Sequence, residues 1–184
     1  MEAIALLRLQ LEDAHRTLEN TLGDISNADA HREPGGRAFK VAANYAHVVC
    51  AEDMYVNGRL REAAPLYASS WLGRTGLSEP MPDPAAAAQE PGGWPGAHES
   101  WARRVTVDLP QARLYAQAVH AGALEHLASL TAEDLDRPMD LSAFGMGTIP
   151  LGMVITMFVV GHYYSLAGEM SAGKGVIGLQ GYPF

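Results

Sequence analysis

TIPLGMVITMFVVGHYYSLAGEMSAG, residues 148–173, is the stretch on which the fold turns. Its β-branched run (Val154, Ile155, Val159, Val160) has the composition of a buried strand. The uninterrupted segment is about 24 residues long, however, and strands rarely pass about 8, so length decides for a helix. Thr148 stands where a helix cap is wanted, with Pro150 in the first turn, where its missing N–H costs nothing. Leu151, Ile155, Phe158, His162, Leu166 and Glu169 then share one face. The longest apolar run, Ile149 to Gly161, covers 13 residues. A membrane span needs about 20, so no membrane association is expected.

Upstream, the same period recurs. Ile4, Leu7, Leu11, Ala14, Leu18, Leu22 and Ile25 make one apolar stripe, with Arg8, Glu12, Asp13, Arg16 and Glu19 on the wet side. This predicts a first helix over 3–23. SNADAHREPGG, residues 26–36, is turn-rich and interrupts the pattern. A second helix is expected from Arg37 to Arg61, with Phe39, Ala43, Ala46, His47, Cys50 and Met54 on one face. Asp108, with Gln111 three residues on and Pro110 between, reads as the start of a third helix running to Leu130. Its stripe is Ala116, Val119, His120, Ala123, Leu127 and Leu130. Thr131–Asp134 looks like the cap of a short turn, and 136–147 like a loop. Residues 63–107, rich in proline and glycine toward their centre, read as a long irregular connection between the second and third helices. Connections of that length are usually functional or mobile. Four long helices in about 180 residues predict an all-α, up-down four-helix bundle in a single domain, residues 1–184.

Composition narrows the function classes. There are 13 Lys+Arg against 21 Asp+Glu, a net charge of −8. A nucleic-acid surface needs clustered cations, so no nucleic-acid partner is expected. The single cysteine excludes an internal disulfide and any Cys-rich zinc module. The opening MEAIALLRLQLEDAH carries acids by its second turn and no small-residue cleavage site. It therefore does not read as a signal peptide, and a cytoplasmic location is the expectation.

Two histidines sit in the middle of apolar stripes: His47 on the second helix and His162 on the last. A buried imidazole must find a partner, and bundles build metal sites from side chains on facing helices. The alternative is that each is a core residue hydrogen-bonded to a tyrosine, a carboxylate or water. Cys50, one turn from His47, is a candidate nucleophile or simply a small core residue. Tyr163 and Tyr164 adjoin His162, as partners or as packing. Met139, Met146, Met153 and Met157 read as gap-filling core. GKGVIG at 173–178 follows a helix instead of opening one, so it is no phosphate cradle.

These pieces taken in order resemble the DinB-like superfamily of small four-helix metalloproteins, which includes mycothiol- and bacillithiol-linked transferases and isomerases. The resemblance lies in His31-Arg-Glu-Pro, in Asn44-Tyr-Ala-His47 followed by Ala51-Glu52-Asp53-Met-Tyr55, and in Leu130-Thr-Ala-Glu-Asp-Leu-Asp-Arg-Pro138. It continues through Gly161-His162-Tyr-Tyr-Ser-Leu-Ala-Gly168-Glu169 and the tail Gly178-Leu-Gln-Gly-Tyr-Pro-Phe184. It implies a divalent metal ion (zinc, nickel or similar) held by three side chains, one on the second helix and two a turn apart on the last. His47 and His162 match two of these positions. The third falls on Leu166, which cannot ligate. Glu52 and Asp53 lie about 140° and 240° around the helix from His47 and are expected to point elsewhere. His120 is the candidate for a third ligand, and His15 a lesser one.

Two functional readings follow. One is a metal-dependent relative of the thiol transferases whose site is partial or degenerate at Leu166. The other is a non-catalytic small-molecule-binding or interaction bundle that has lost the metal. A homodimer is the expected assembly in either case.

Overall fold

The computed structural model describes residues 2–142 and 146–182; Gly145, assigned above to a loop, lies outside them. Helix α1 (Ala3–Leu22) buries Leu7, Leu11, Ala14, Leu18 and Leu22, the stripe read from the sequence. A four-residue helix, α2 (Asn27–Ala30), follows, capped by Ser26. Next comes α3 (Val41–Glu52), in which every residue but His47 is buried. It runs on into a π-helical stretch, Asp53–Leu60. The third bundle helix, α6 (Leu109–Ser129), starts at the Asp108 cap, which accepts the Gln111 N–H at 3.3 Å. The last is continuous but composite: α7 (Leu151–Val154), a second π-helical stretch (Ile155–Val160) and α8 (Gly161–Val176).

These make a four-helix, all-α architecture. Around the bundle the order is α1, α6, α3, α8: α1 packs on α8 and α6, and α3 packs on α8 and α6, with α1 and α3 meeting only sparsely. Consecutive bundle helices α1 and α3 therefore face each other across the core. The long connections between them permit this, whereas short loops would force sequence neighbours side by side.

Two expected boundaries differ. Thr148 does not cap the last helix. Thr148–Pro150 forms a strand, β2, antiparallel to β1 (Pro138–Asp140), with Met139 opposite Ile149. The loop expected over 136–147 thus contains a strand, and helix starts only at Leu151. The joined helical run Leu151–Val176 is 26 residues, long and apolar enough by length and composition to cross a membrane. Its Leu151, Ile155, Val159, Tyr163, Leu166 and Met170 are nevertheless buried inside the bundle, while Met153, Met157, Tyr164 and Val176 remain exposed.

The connection between α3 and α6 is not irregular. It contains a 3₁₀ turn (Leu66–Ala68), a short helix α4 (Pro84–Ala87) and a three-turn helix, α5 (Gly93–Arg104). Gly92, Gly93, Pro95 and Gly96 mask that helix in the sequence, because helix propensity counts all four against it. Tertiary contacts override propensity here. Trp101 is fully buried, and the Lys40 ammonium donates to the last carbonyls of α5, Arg103 O at 2.8 Å and Val105 O at 3.3 Å. The chain leading from α5 into α6 is clamped by Asn27 of α2 and by His31, the residue that ends that helix. His31 Nδ1–H donates to Asn27 O at 2.6 Å, leaving Nε2 to accept the Val107 N–H at 2.9 Å, and Asn27 Oδ1 accepts Leu109 N–H at 3.1 Å. Gly76 is required where the loop crosses α6. Its φ is +81°, and a Cβ there would come within 2.7 Å of Ala112 N.

The outgoing end of the connection is pinned by Asp53. This carboxylate, 0% exposed, accepts from Leu66 N and Tyr67 N at 2.9 Å each, from Asn57 Nδ2 at 2.9 Å and from Tyr115 Oη at 2.8 Å. Removing it strands two backbone donors and a buried phenol together. Asp53→Ala is expected to cost about 3–5 kcal/mol, which for a domain of this size lowers Tm by roughly 10 °C. Thermal unfolding followed by circular dichroism checks this; a change within about 2 °C would show that Asp53 does not hold the connection.

Candidate functional site

The histidines separate into two groups. Nε2 of His47 on α3 lies 3.1 Å from Nε2 of His162 on α8, with the rings edge to face at 4.9 Å between centroids. Two donors at about 2.0–2.1 Å from one tetrahedral ion stand about 3.3 Å apart, so this spacing suits shared ligation. It equally suits a hydrogen bond in which one neutral ring donates and the other accepts. Burial holds both rings neutral: His47 well below its ordinary pKa, and His162 down to about 4. Their lone pairs are therefore not blocked by protons at neutral pH. Leu166, 6% exposed, packs into the core and offers no donor.

The two imidazoles form one wall of a cavity of about 390 Å³. The rest is chiefly Met54, Tyr55, Met81, Trp94, Met157 and Phe158. Both π-helical stretches contribute, Met54 and Tyr55 from the first, Met157 and Phe158 from the second. A π turn inserts an extra residue and so swings side chains off the regular helical face, which is why such turns gather at functional sites. Met157 was expected in the core. It is instead 47% exposed and helps form the cavity wall, and Met153 is 48% exposed.

The second group lies deeper. His15 of α1, Glu52 of α3 and His120 of α6 present donor atoms that all lie within 4.8 Å of one another, a group that could hold a metal ion. His15 Nε2–H donates to Glu52 Oε1 at 2.8 Å. Tyr163 Oη–H of α8 donates to Glu52 Oε2 at 2.6 Å, and its oxygen accepts from His120 Nε2–H at 3.0 Å. The His15 and His120 rings stack at 3.7 Å with 8° between planes. Glu52 is 1% exposed, and burial alone would raise its pKa; the charge of His15 and hydrogen bonds from His15 and Tyr163 outweigh this and hold it below the usual carboxylate range. Burial likewise drives His120 down to about 4.

The structure thus brings His47 and His162 together, and places His120 with His15, Glu52 and Tyr163 instead of completing their site. α6 presents His120 to Tyr163, one residue and about 100° around the helix from His162. Glu52 and Asp53 do point away from His47, each into its own buried network. Tyr164 hydrogen-bonds Asp13 at 2.6 Å, and Glu169 is exposed. Cys50 is buried, and its thiol is pushed up to about 12, which removes it as a nucleophile at neutral pH.

One residue the sequence left without a role is His98. It lies on α5 with its ring 4.3 Å from that of His47. The signal was there: Trp94, His98 and Trp101 are spaced i, i+4, i+7, one face of a helix, inside a segment whose glycines and prolines spoke against one.

A family model described as the DinB superfamily matches residues 10–163. The chain belongs to the DinB superfamily. Among solved structures it is similar to one titled "Crystal structure of the conserved protein of locus from Enterococcus faecalis", with a TM-score of 0.76, 19% identity, and coverage of 96% of this chain and 98% of that one. At that identity the likeness shows the fold alone. No curated protein matches this chain.

Acid sensitivity follows from the deeper group. His120 has a folded pKa of about 4 against about 6.5 unfolded, so between those values the unfolded chain binds more protons and stability falls as pH falls. Glu52, depressed when folded, loses its contribution as pH drops below its unfolded value of about 4.3. Both act in the same direction. Urea unfolding of chelator-treated protein is expected to lose on the order of 3 kcal/mol between pH 6.5 and pH 4 on account of His120. His120→Gln should make that part of the curve shallower by about this amount, with His47 and His162 supplying the slope that remains, and an equally steep curve in the variant would contradict the assignment.

Proposed function

We propose that this chain is a small-molecule-binding metalloprotein, with a divalent ion held by His47 and His162 at the wall of the 390 Å³ cavity. The observation that carries it is the 3.1 Å approach of two neutral, half-buried imidazoles, Nε2 to Nε2, from facing helices. Imidazole donors suit zinc, nickel or copper better than magnesium or calcium. Bound there with an open position, such an ion supplies a Lewis acid that polarises a carbonyl or lowers the pKa of a coordinated thiol or water.

The cavity side chains choose the ligand. Among the described residues that line it there is no Lys, Arg, Asp or Glu. Three methionines and three aromatic rings make an adaptable apolar surface. His47, His162, Tyr55 and Ser165 are the polar exceptions. This favours an uncharged, mainly apolar molecule with one soft or carbonyl-bearing end directed at the histidines. A highly charged thiol cofactor has no counter-ion inside this cavity, so a thiol-transferase activity gains no support from its lining.

A second reading is favoured by one observation: His15, Glu52 and His120 bring three donors together where His47 and His162 bring two. Against it, the donor atoms of that group already share hydrogen bonds with one another and with Tyr163. Elemental analysis of protein purified without a histidine tag separates the two. One ion per chain is expected in the wild type and in Glu52→Gln, and none in His47→Ala or His162→Ala. Loss in Glu52→Gln with retention in His47→Ala would move the ion to the deeper group. A metal-free wild type after growth and dialysis with zinc or nickel would overturn both readings and leave an apolar binding bundle.

A further inference from the structure

We infer that His98 is the third protein ligand of the ion at His47 and His162, supplied by α5 in place of the donor missing at Leu166. This rests on the site proposed above. Three observations on the molecule converge on it.

First, there are two orphaned nitrogens in one place. His98 Nε2 and His47 Nδ1 are both buried with no hydrogen-bond partner, on rings only 4.3 Å apart. An unpaired buried polar atom costs about 1–3 kcal/mol and calls for an explanation, of which a bound ion is one. Second, the His98 ring is held by faces. It meets Phe39 edge-on at 5.3 Å, Trp94 at 5.3 Å and Trp101 at 5.8 Å. These ring contacts pack the imidazole in place while leaving its Nε2 buried and without a hydrogen-bond partner. Third, α5 is anchored independently of the site. Trp101 is fully buried and Lys40 caps the helix C-terminus, so α5 has anchors besides the imidazole at position 98.

Among the described residues, the group whose donors all fall within 4.8 Å is the Glu52 group, so the His98 ring must turn to close on an ion beside His47 and His162. Turning it breaks no hydrogen bond at Nε2, because none is made there. Three imidazoles with a fourth position open toward the cavity give the arrangement of a reactive zinc-type site, whereas two fall one short of the three protein ligands such sites use. The ion class is accordingly a borderline-soft divalent cation: zinc, nickel or copper.

The test counts ligands. X-ray absorption of the zinc-loaded protein is expected to show three imidazoles in the wild type and two in His98→Ala. Competition with a chromophoric chelator should show zinc affinity lower by about a hundredfold or more in the variant, beyond what loss of an outer hydrogen bond usually removes. Leu166→His in the His98→Ala background should restore the count to three. Circular dichroism of the metal-free variants confirms that each is folded. Two imidazoles in both wild type and His98→Ala, with zinc still lost in His47→Ala, would overturn the role of His98 and leave the two-histidine site standing. Failure of the wild type to bind zinc at all would overturn both.

Discussion

The Glu52 carboxylate is the constraint around which this bundle is arranged. It is 1% exposed, and a charge in that position is tolerated only when fully partnered. Its partners come one from each of the other three bundle helices: His15 from α1 and Tyr163 from α8 directly, and His120 from α6 through the Tyr163 hydroxyl. Four helices thus share one polar point, and sliding any of them by a turn would strand an ionised carboxylate in the core. Apolar packing alone tolerates such slips far better, because leucines are interchangeable in a way that directed donors are not. The node therefore sets register, and with it the meeting of His47 and His162 on the neighbouring faces of α3 and α8.

The second organising feature is the connection from α3 to α6. Asp53, the residue next to Glu52, turns toward the start of that connection and gathers two of its backbone N–H groups. Adjacent carboxylates on one helix thus serve two ends: one locks the bundle, the other binds the segment that covers it. Lys40 and α2 hold the far end. The result is that α5 packs against α3 with Trp94 in the cavity wall and His98 against His47. The two π-helical stretches complete the enclosure, since each turns methionine and aromatic side chains toward the same space. A site assembled this way draws on elements distant in sequence.

Legibility followed the range of the interactions involved. The stripes of α1 and α6 and the Asp108 cap were plain because they are written at spacings of three and four residues. His47 and His162 were legible for the same reason, as polar residues interrupting apolar stripes. His15 was visible only as a neighbour of Ala14. Glu52 was placed correctly as pointing away from His47, yet nothing local told that a buried network awaited it. Helix α5 was hidden by its glycines and prolines, because its stability comes from Trp101 and Lys40, which act over tens of residues. The strand at Thr148–Pro150 reads as a cap because two paired strands of three residues each are too short to show an alternating pattern.

By itself, the sequence determined that this is an all-α chain of four long amphipathic helices, with two histidines on core stripes; that Leu166 stands at a donor position is what the family resemblance implies. Helical periodicity is a property of neighbours along the chain, so it survives without any knowledge of the fold. Only the tertiary structure decided which histidines meet. It paired His47 with His162, sent His120 to Glu52 and brought His98 in from the covering segment, because helix rotation and register are set by long-range contacts among four packed faces and by buried hydrogen bonds that no single helix contains.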